Sequence, residues 1–482
     1  MDQEIYRIKD PVPARWAASF IFLLLGILSG CAGYHPSQEK PPLKMPEGFS
    51  LGGNQTSPAL WWQAFGDDSL DSMEVQALSG NLDLKASWAR IVEARAAAKQ
   101  AGAELYPWLD TSAGATHKTM RNEGRYYNQD ILSLGAMASY ELDLWGRIRK
   151  GKEAAVMDML AAEADLETAR ITVSSEIALT YFEILAVNRQ LEIISRQIRD
   201  NRASLDIISA LYEFGQTDIL DTLQQKQAVE ATIAQQIEKR MALGTLKNRL
   251  AVLLGKAPEE LDVKTDRTLP DVPPLPDAGL PVELVNRRPD CRSAFFRLKA
   301  ANARLAQAVA QQYPRFSLTA SIETDSSRVN DLFENWIANL AANMLTPVFE
   351  GRRLEAEVEK MQAASRQALF HYGSTVLSAL KEVEDALIQE SHQRRLLENM
   401  EQRLELSRRS LQQIRDQYEA GTVEFLRFLA TELNTDALET QLITERLSLI
   451  KYRIALYRAL AGPIPHQEGN GQISSSDGNR GT

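Results

Sequence analysis

The chain has 482 residues, of which 44% are hydrophobic and 24% charged, a length that allows two or three ordinary domains. This composition excludes a mini-protein, a collagen and a disordered tail, and the presence of only Cys31 and Cys291 excludes a disulfide scaffold. The 54 basic and 64 acidic residues give a net charge of −10, so the chain lacks the basic surplus that favours nucleic-acid binding.

The amino terminus is predicted to be a signal peptide over residues 1–30. Residues 16–28 form an apolar run of 13, which is shorter than the ~20 residues of a helix that crosses a bilayer. The run ends in Leu28-Ser29-Gly30-Cys31-Ala32, which resembles the lipobox of bacterial lipoproteins. That resemblance implies acyl chains such as palmitate on Cys31 and sorting to the outer membrane, where several chains anchor a protein stably. An ordinary export signal with an incidental cysteine is the alternative.

Proline marks the places where long helices cannot run. Residues 108–257 and 348–462 contain no proline, whereas residues 258–289 contain seven. Because proline inside a helix breaks it, the two proline-free stretches can form very long helices. Their apolar residues recur at spacings of three, four and seven, with charged and amide residues between them. This pattern is typical of coiled-coil packing and differs from that of a membrane span.

The lengths of these helices predict how the chain runs. Arg147–Phe214 has 68 residues, which corresponds to about 100 Å of α-helix. The helices predicted at Asn81–Leu105 and Gln216–Leu254 have nearly the same combined length. We therefore expect one long helix, a turn at Gly215 and a return along two shorter helices stacked end to end. Gly215 should then lie at the end of the helices farthest from the strands.

The chain contains an internal repeat with an offset of about 207 residues. Seven of fourteen positions are identical between residues 94–107 and 301–314. Further along, Tyr212…Gly215 matches Tyr418…Gly421 at nearly the same offset. Ordered matches of this kind indicate a duplication. Each copy is predicted to contain a helix, two strands, a long helix, a glycine turn and a final helix.

Apolar and polar residues alternate in the strand segments of both copies. These segments are roughly residues 108–117 and 131–144 in the first copy, and 316–322 and 336–344 in the second. Strands of about ten residues with one apolar and one polar face are typical of a membrane barrel around water. A soluble sheet with one buried face alternates in the same way. The lipobox and the long helices favour the barrel.

Four strands from one chain cannot close such a barrel, and an open sheet edge cannot face lipid. If the strands lie in a membrane, the chain must therefore oligomerise. Two copies would supply eight strands with a filled interior, whereas three copies would supply twelve strands and room for a lumen. A homotrimer is the simplest conducting arrangement.

A series of short motifs resembles the TolC-like outer-membrane factor family, specifically the lipidated branch that serves tripartite efflux pumps of the RND type. The motifs span about residues 60–462, and their order and spacing are more specific than any one of them. In chain order they are Trp61-Trp62, Phe65-Gly66-Asp67, Asn81-Leu82-Asp83-Leu84, Tyr106-Pro107, Glu141-Leu142-Asp143-Leu144-Trp145-Gly146-Arg147, Tyr212…Gly215, Arg287-Arg288-Pro289-Asp290, Ala300-Ala301-Asn302-Ala303-Arg304, Tyr313-Pro314 and Tyr418…Gly421.

This resemblance implies a fold class that is mainly α with membrane β. A trimeric twelve-stranded outer-membrane β-barrel, with four strands per chain, would continue into a long periplasmic α-helical coiled-coil barrel. The implied function is passive conduction of small molecules to the outside. The implied partners are outer-membrane lipid, a periplasmic adaptor protein and an inner-membrane transporter driven by proton motive force. No cofactor is implied beyond the covalent lipid on Cys31.

The resemblance also implies a periplasmic tip that the adaptor grips and opens. The implied contact residues are Tyr212, Gly215, Tyr418 and Gly421, although a glycine also suits an ordinary turn between helices. Many family members place acidic residues after the second glycine, where this chain has Arg427 and Ala430. The candidate gate residues are therefore Asp218, Asp221, Glu424 and Arg427, with a solvated helix face as the alternative reading.

No catalytic or metal-binding pattern is present in the sequence. The five histidines lack zincin spacing, and neither a phosphate loop nor a Gly-x-Ser-x-Gly elbow occurs. The chain is therefore predicted not to be an enzyme and to hold no metal. Two other functions remain open. One is the outer-membrane duct of a type I protein secretion system, which the lipobox disfavours. The other is a lipid-anchored periplasmic coiled-coil scaffold, which the alternating strands disfavour.

These observations divide the chain into six segments. They are the signal peptide at residues 1–30, a lipidated extended segment at 31–67, the first repeat at 68–255, a proline-rich equatorial linker at 256–286, the second repeat at 287–462 and a disordered tail at 463–482.

Overall fold

The computed structural model describes residues 43–53, 60–260, 267–461 and Ile464. The predicted signal peptide, Cys31 and most of the predicted tail lie outside these residues. Within them the chain forms eight α-helices and four β-strands. In chain order these are α1 (Asp68–Gly80), α2 (Leu82–Ala103), β1 (Trp108–Asn122), β2 (Arg125–Leu142), α3 (Arg147–Glu213), α4 (Ile219–Leu253), α5 (Pro281–Arg287), α6 (Pro289–Ala310), β3 (Arg315–Ser326), β4 (Trp336–Leu345), α7 (Arg353–Glu419) and α8 (Phe425–Leu460).

The predicted order of elements is confirmed, with three differences of extent. Strands β1 and β2 continue through residues 118–130, where the alternation is lost, and meet at a turn in which Glu123 and Gly124 both have positive φ. A short helix, α5, begins at Pro281 inside the predicted linker, because proline is well tolerated in the first turn of a helix. Helix α1 precedes the first predicted helix, and the side chain of Asp67 caps it.

The described part of the chain divides into two compact units. Residues 93–159 and 296–370 form the first unit, which contains the four strands. Residues 43–53, 60–92, 160–260, 267–295 and 371–461, with Ile464, belong to the second. No helix in the described part is both long and apolar enough to cross a bilayer.

The four strands of the first unit form one antiparallel sheet in the order β1-β2-β3-β4. Their register aligns the alternation of all four strands, since Ala138 pairs with Leu109 on one side and with Ala320 on the other. Ala320 pairs in turn with Leu340. One face of the sheet is therefore mostly apolar and the opposite face mostly polar. The apolar face carries Leu109, Ala113, Leu132, Leu134, Ala138, Tyr140, Phe316, Leu318, Ile322, Trp336, Leu340 and Met344, and the polar face carries Asp110, Ser112, Ser133, Ser139, Glu141, Ser317, Thr319, Ser321, Glu323, Asn339 and Asn343.

The motif around Trp145 fastens the end of β2 within the first unit. The Trp145 indole donates from Nε1 to the Pro314 carbonyl oxygen at 2.7 Å, and its ring stacks on Tyr313 with centroids 5.0 Å apart. Arg147, the first residue of α3, donates two hydrogen bonds to the Glu141 carboxylate, at 3.0 and 3.1 Å. A bidentate pair of this kind fixes orientation as well as distance. These contacts set where the strands give way to helix.

The main core of the second unit forms around Trp61 and Trp62, which are 2% and 1% exposed. Trp61 packs against Tyr457 of α8, and Phe65 packs against Phe182 of α3. Beside them, Asp67 accepts a hydrogen bond from the buried Tyr181 hydroxyl at 2.9 Å and pairs with Arg267 at 2.9 Å. Burial and the neighbouring Asp67 carboxylate raise the pKa of Tyr181. The aromatic residues of the first two motifs are therefore packing residues.

The predicted end-to-end stacking of helices is confirmed in both copies. In the first copy, Asn81 accepts hydrogen bonds from the first turn of α2 and donates from Nδ2 to the Leu253 carbonyl oxygen of α4 at 2.9 Å. In the second copy, Arg288 donates from Nη1 to the Ala459 carbonyl oxygen of α8 at 3.0 Å. Each contact satisfies a carbonyl at a helix end that has no partner in its own helix.

A buried ion pair holds the proline-rich linker against α7 and α8 in the second unit. Arg453 is 0% exposed and donates to both oxygens of Glu390, at 2.9 and 2.5 Å. It also donates to the carbonyl oxygens of Pro273 and Pro274. Because proline has no N–H, linker carbonyls of this kind need a donor from elsewhere, and Arg453 supplies it.

Candidate functional site

The first candidate site is the turn that joins α3 to α4. Gly215 has φ = +70°, and its N–H donates to the Tyr212 carbonyl oxygen at 2.9 Å, while Gln216 N–H donates to the Leu211 carbonyl oxygen at 2.8 Å. This hydrogen-bond pattern is a Schellman motif, in which glycine avoids the steric penalty of the left-handed conformation. Asp218 is the N-cap of the following helix, α4, and its carboxylate accepts from Leu220 N–H at 3.3 Å.

The second turn, between α7 and α8, repeats this backbone geometry. Gly421 has φ = +71°, its N–H donates to the Tyr418 carbonyl oxygen at 2.9 Å, and Thr422 N–H donates to the Gln417 carbonyl oxygen at 3.0 Å. Glu424 takes the N-cap position of α8, but its side chain makes no capping hydrogen bond. The two glycines predicted from the repeat thus have equivalent conformations.

The side chains of the two turns differ sharply. At the first turn, Phe214 is 79% exposed, and Tyr212, Ile219, Leu220 and Leu223 are also exposed. At the second turn, Phe425 and Phe428 are buried, and Tyr418 is half-buried. The Tyr418 and Phe428 rings stack at 5.5 Å, and Arg415 lies over the Phe428 ring at 6.0 Å from its centroid. The first turn therefore presents a larger apolar surface than the second, where Leu426 is exposed.

The buried aromatic residues of the second turn also reach helices α3 and α4. They form one apolar cluster, called here the tip cluster, in which all four long helices take part. Its buried members are Ile208, Ala228, Ile414, Phe425, Phe428 and Leu429, with Leu411 and Tyr418 packed against them. This cluster holds the two helical hairpins together beside the turns. Phe425 and Phe428 were not predicted from the sequence, although two phenylalanines spaced by three residues shortly after Gly421 were a usable signal.

The candidate gate residues occupy different environments. Asp221 accepts a hydrogen bond from the Thr217 hydroxyl and lies near Tyr418, where burial and then the Asp221 charge raise the pKa of the tyrosine. Asp221 and Tyr418 thus bring the two turns into electrostatic contact. Arg427 is exposed, and no ion pair joins it to Asp218, Asp221 or Glu424 within the described residues.

Neither metal binding nor nucleophilic chemistry has a geometric basis among the described residues. They contain no group of three or more His, Cys, Asp or Glu side chains placed to hold a metal ion. Cys291 is 1% exposed, and burial raises the pKa of its thiol to about 12. A thiol that stays protonated is a poor nucleophile, so Cys291 acts as a packing residue.

A four-stranded sheet with one apolar face, joined to duplicated coiled-coil helices with glycine turns, defines a class of outer-membrane efflux channels. The chain belongs to the family described as Outer membrane efflux protein, which it matches twice, over residues 75–256 and 280–462. It is a non-enzymatic outer-membrane channel of a tripartite efflux system, and its two matches confirm the duplication.

Two curated relatives and one solved structure are similar to this chain over most of its length. It is 31% identical to the pyoverdine export outer membrane protein OpmQ of Pseudomonas aeruginosa, over 83% of this chain and 87% of OpmQ. It is 27% identical to SilC of Salmonella typhimurium, a probable outer membrane lipoprotein, over 90% of this chain and 96% of SilC. The outer-membrane channel OprN superposes with a TM-score of 0.81 at 28% identity, covering 88% of this chain and 99% of OprN.

Proposed function

We propose that three copies of this chain form a closed tube that carries small molecules across the outer membrane. The observation that best supports this proposal is the single sheet β1-β2-β3-β4. Its outer strands β1 and β4 each have one edge without a partner in the described part of the chain. Unpaired backbone groups cannot face lipid, so pairing of β4 in one copy with β1 in the next removes the edges. Twelve strands with their apolar face outward would enclose a lumen lined by the polar face.

The two glycine turns form the periplasmic tip in this proposal. The exposed apolar side chains of the first turn, with Phe214 at 79% exposure, support contact with a periplasmic adaptor protein. Tyr212, Gly215, Tyr418 and Gly421 shape the two turns that the adaptor grips. Asp218, Asp221, Glu424 and Arg427 line the gate, and the charge of Asp221 at the first turn raises the pKa of Tyr418 at the second. An inner-membrane transporter supplies the energy for export in this proposal.

The amino-terminal segment anchors the channel in this proposal. Cys31 becomes the first residue after removal of residues 1–30 and carries acyl chains, and the likeness to the lipoprotein SilC supports this. Residues 43–53 then run along the second unit, where Ser50 N–H donates to Glu384 at 2.9 Å. Repeats at 68–255 and 287–462, an equatorial linker at 256–286 and a tail at 463–482 complete the proposed division.

Single-channel recording on purified mature protein in planar bilayers tests the conducting function. We expect rare, small openings from a species whose mass in detergent is that of a trimer. A variant lacking residues 108–142, which removes β1 and β2, should give no openings while its helices keep their circular dichroism. A Cys31→Ser variant should conduct once reconstituted but leave the outer-membrane fraction of cells. A monomer that stays on the bilayer surface and passes no current would instead support the scaffold function and refute the channel.

A further inference from the structure

The contact between helices α3 and α8, called here the α3–α8 seam, carries several polar pairs beside an apolar cluster that contains Ile193 and Ile443. Gln190 donates from Nε2 to the Thr444 hydroxyl at 3.0 Å, and Gln197 donates from Nε2 to the Asp436 carbonyl oxygen at 3.2 Å. Arg196 pairs with Glu439 between them. Because α3 belongs to the first helical hairpin and α8 to the second, the seam is where the two hairpins meet along their length.

Three carboxylates lie on one face of α8 at this seam, at the i, i+4 and i+7 positions Glu432, Asp436 and Glu439. Glu439 has two partners, since Arg196 of α3 and Arg408 of α7 both pair with it. Glu432 is 6% exposed, and only its Oε1 has a cation nearby, Arg415 of α7 at 3.8 Å. Its buried Oε2 has no hydrogen-bond partner within the described residues.

The middle carboxylate, Asp436, has no cation of its own. No ion pair in the described part of the chain uses its side chain, and it lines a cleft of about 450 Å³ between α3, α4 and α8. Helix α4 contributes only the uncharged Thr232 and Gln235 to this cleft, and the other carboxylate in its lining, Glu445, bonds to Gln393 of α7. The electrostatic balance at Asp436 is therefore set by the residues of α3, α7 and α8.

That balance favours the protonated form of Asp436. Together with its charged neighbours, Asp436 belongs to a group of four carboxylates and three guanidiniums, so one carboxylate lacks a counter-charge. The group consists of Asp200, Glu432, Asp436, Glu439, Arg196, Arg408 and Arg415. Burial, followed by the charges of Glu432 and Glu439, raises the pKa of Asp436 to about 7, while Gln197 and Arg196 act in the opposite direction. Glu432 shares this environment, and its pKa is also raised, mainly by burial.

We propose that Asp436 is a proton-binding switch in the α3–α8 seam: the protonated side chain keeps the two helical hairpins together, and loss of the proton favours their separation. This goes beyond efflux itself, because it makes the closed state sensitive to the pH around the helices. Asp436 is partly exposed in the closed seam, and opening exposes it further, so its pKa falls toward 3.8 and the closed seam binds the proton more tightly than the open one. The open fraction is therefore lowest in acid and rises with pH until Asp436 ionises in the closed seam near pH 7.

The test compares wild type with Asp436→Asn, which mimics the protonated side chain, and with the control Asp206→Asn. Asp206 is an exposed carboxylate of α3. Amide hydrogen exchange of residues 428–444, corrected for the intrinsic effect of pH, should rise from pH 5 to pH 8 in wild type and in Asp206→Asn. It should stay low at both pH values in Asp436→Asn. One proton per chain limits the change to about tenfold per pH unit.

Infrared spectroscopy supplies a readout that does not depend on conduction. Wild type should show a protonated-carboxyl band that titrates near neutral pH and is missing in Asp436→Asn, and Glu432→Gln should move the titration to lower pH by removing a neighbouring charge. Channel openings should become more frequent as pH rises from 5 to 7 in wild type and level off above pH 7, but should not change in Asp436→Asn. An unchanged band in Asp436→Asn, or equal pH dependence of exchange in that variant and wild type, would overturn the proposal. Absence of any current, with the exchange and infrared results as expected, would refute only the conducting function.

Discussion

Replacing Phe428 by alanine should favour the open tip. The Phe428 side chain is 6% exposed and lies in the tip cluster between the Tyr418 ring and the Arg415 guanidinium. Removing a buried phenylalanine costs about 3–5 kcal/mol where all of its surroundings stay in place. Helices α3 and α4 supply part of those surroundings through Ile208 and Ala228, and that part is lost when the hairpins separate.

If about half of the contacts are lost on opening, the substitution destabilises the closed state relative to the open one by about 2 kcal/mol. A difference of this size corresponds to about a 30-fold increase in the ratio of open to closed channels. Single-channel recording at pH 6 measures this ratio directly, and entry of a large antibiotic into cells reports the same leak.

Phe65→Ala is the matched control for this experiment. Phe65 is 7% exposed, close to the value for Phe428, but it packs in the core around Trp61 and Trp62. Both variants should lower the apparent melting temperature, and only Phe428→Ala should raise the open fraction. Equal open fractions in the two variants would refute the assignment of a closing role to the tip cluster.

Three further substitutions test the polar groups of the second unit by thermal unfolding. Glu74 is 0% exposed, and its carboxylate oxygens have no hydrogen-bond partner among the described residues. Burial raises the pKa of Glu74 in the folded protein, whereas in the unfolded chain it ionises above about pH 4.5. The free energy of unfolding therefore falls as pH rises above that value. Glu74→Leu should therefore stabilise by about 1–3 kcal/mol, more at pH 8 than at pH 5. Arg453→Met should cost about 2–4 kcal/mol, because buried Glu390 keeps only Arg394 as a partner and the Pro273 and Pro274 carbonyl oxygens lose their donor, and Arg453→Met with Glu390→Leu should recover part of the loss. Asp67→Ala should cost about 2–4 kcal/mol, since it removes a helix cap and the acceptor of Tyr181, whereas Asp68→Ala, beside it, should cost little.

The features predicted from sequence are those that depend on neighbours along the chain. Gly215 and Gly421 end long apolar-periodic helices, and each adopts a positive φ as a glycine at that place would. The alternation of β2 was readable because one face of each strand is apolar. The prediction of strands failed at residues 118–130, because polar side chains occur on both faces there and only Gly124 indicated a turn. Strand pairing there comes from the hairpin itself and not from a buried face.

The contacts that carry the energetic argument could not be predicted in the same way. Tyr181 and Asp67 are 114 residues apart, and Arg453 and Glu390 are 63 apart, so nothing in the local sequence links them. Asp436 occurs in a run of ordinary helix-surface residues, and its environment depends on how α3 places Arg196 and Gln197 against Glu432 and Asp436 of α8. Sequence periodicity predicts which face of a helix is apolar, but not which charges meet across a seam.

The two copies of the repeat have kept one backbone geometry and given it different surfaces. Both turns use the same glycine motif, with φ of +70° and +71°. At the first turn Phe214 and Leu220 are exposed, whereas at the second turn Phe425 and Phe428 are buried in the tip cluster. An exposed apolar turn is costly in water unless a partner covers it. A buried aromatic turn stabilises the closed state without a partner. An adaptor that binds the first turn would therefore act on a hairpin that the second turn holds closed. Its binding can shift the channel toward the open state only by the difference between its binding free energies for the separated and the closed hairpins.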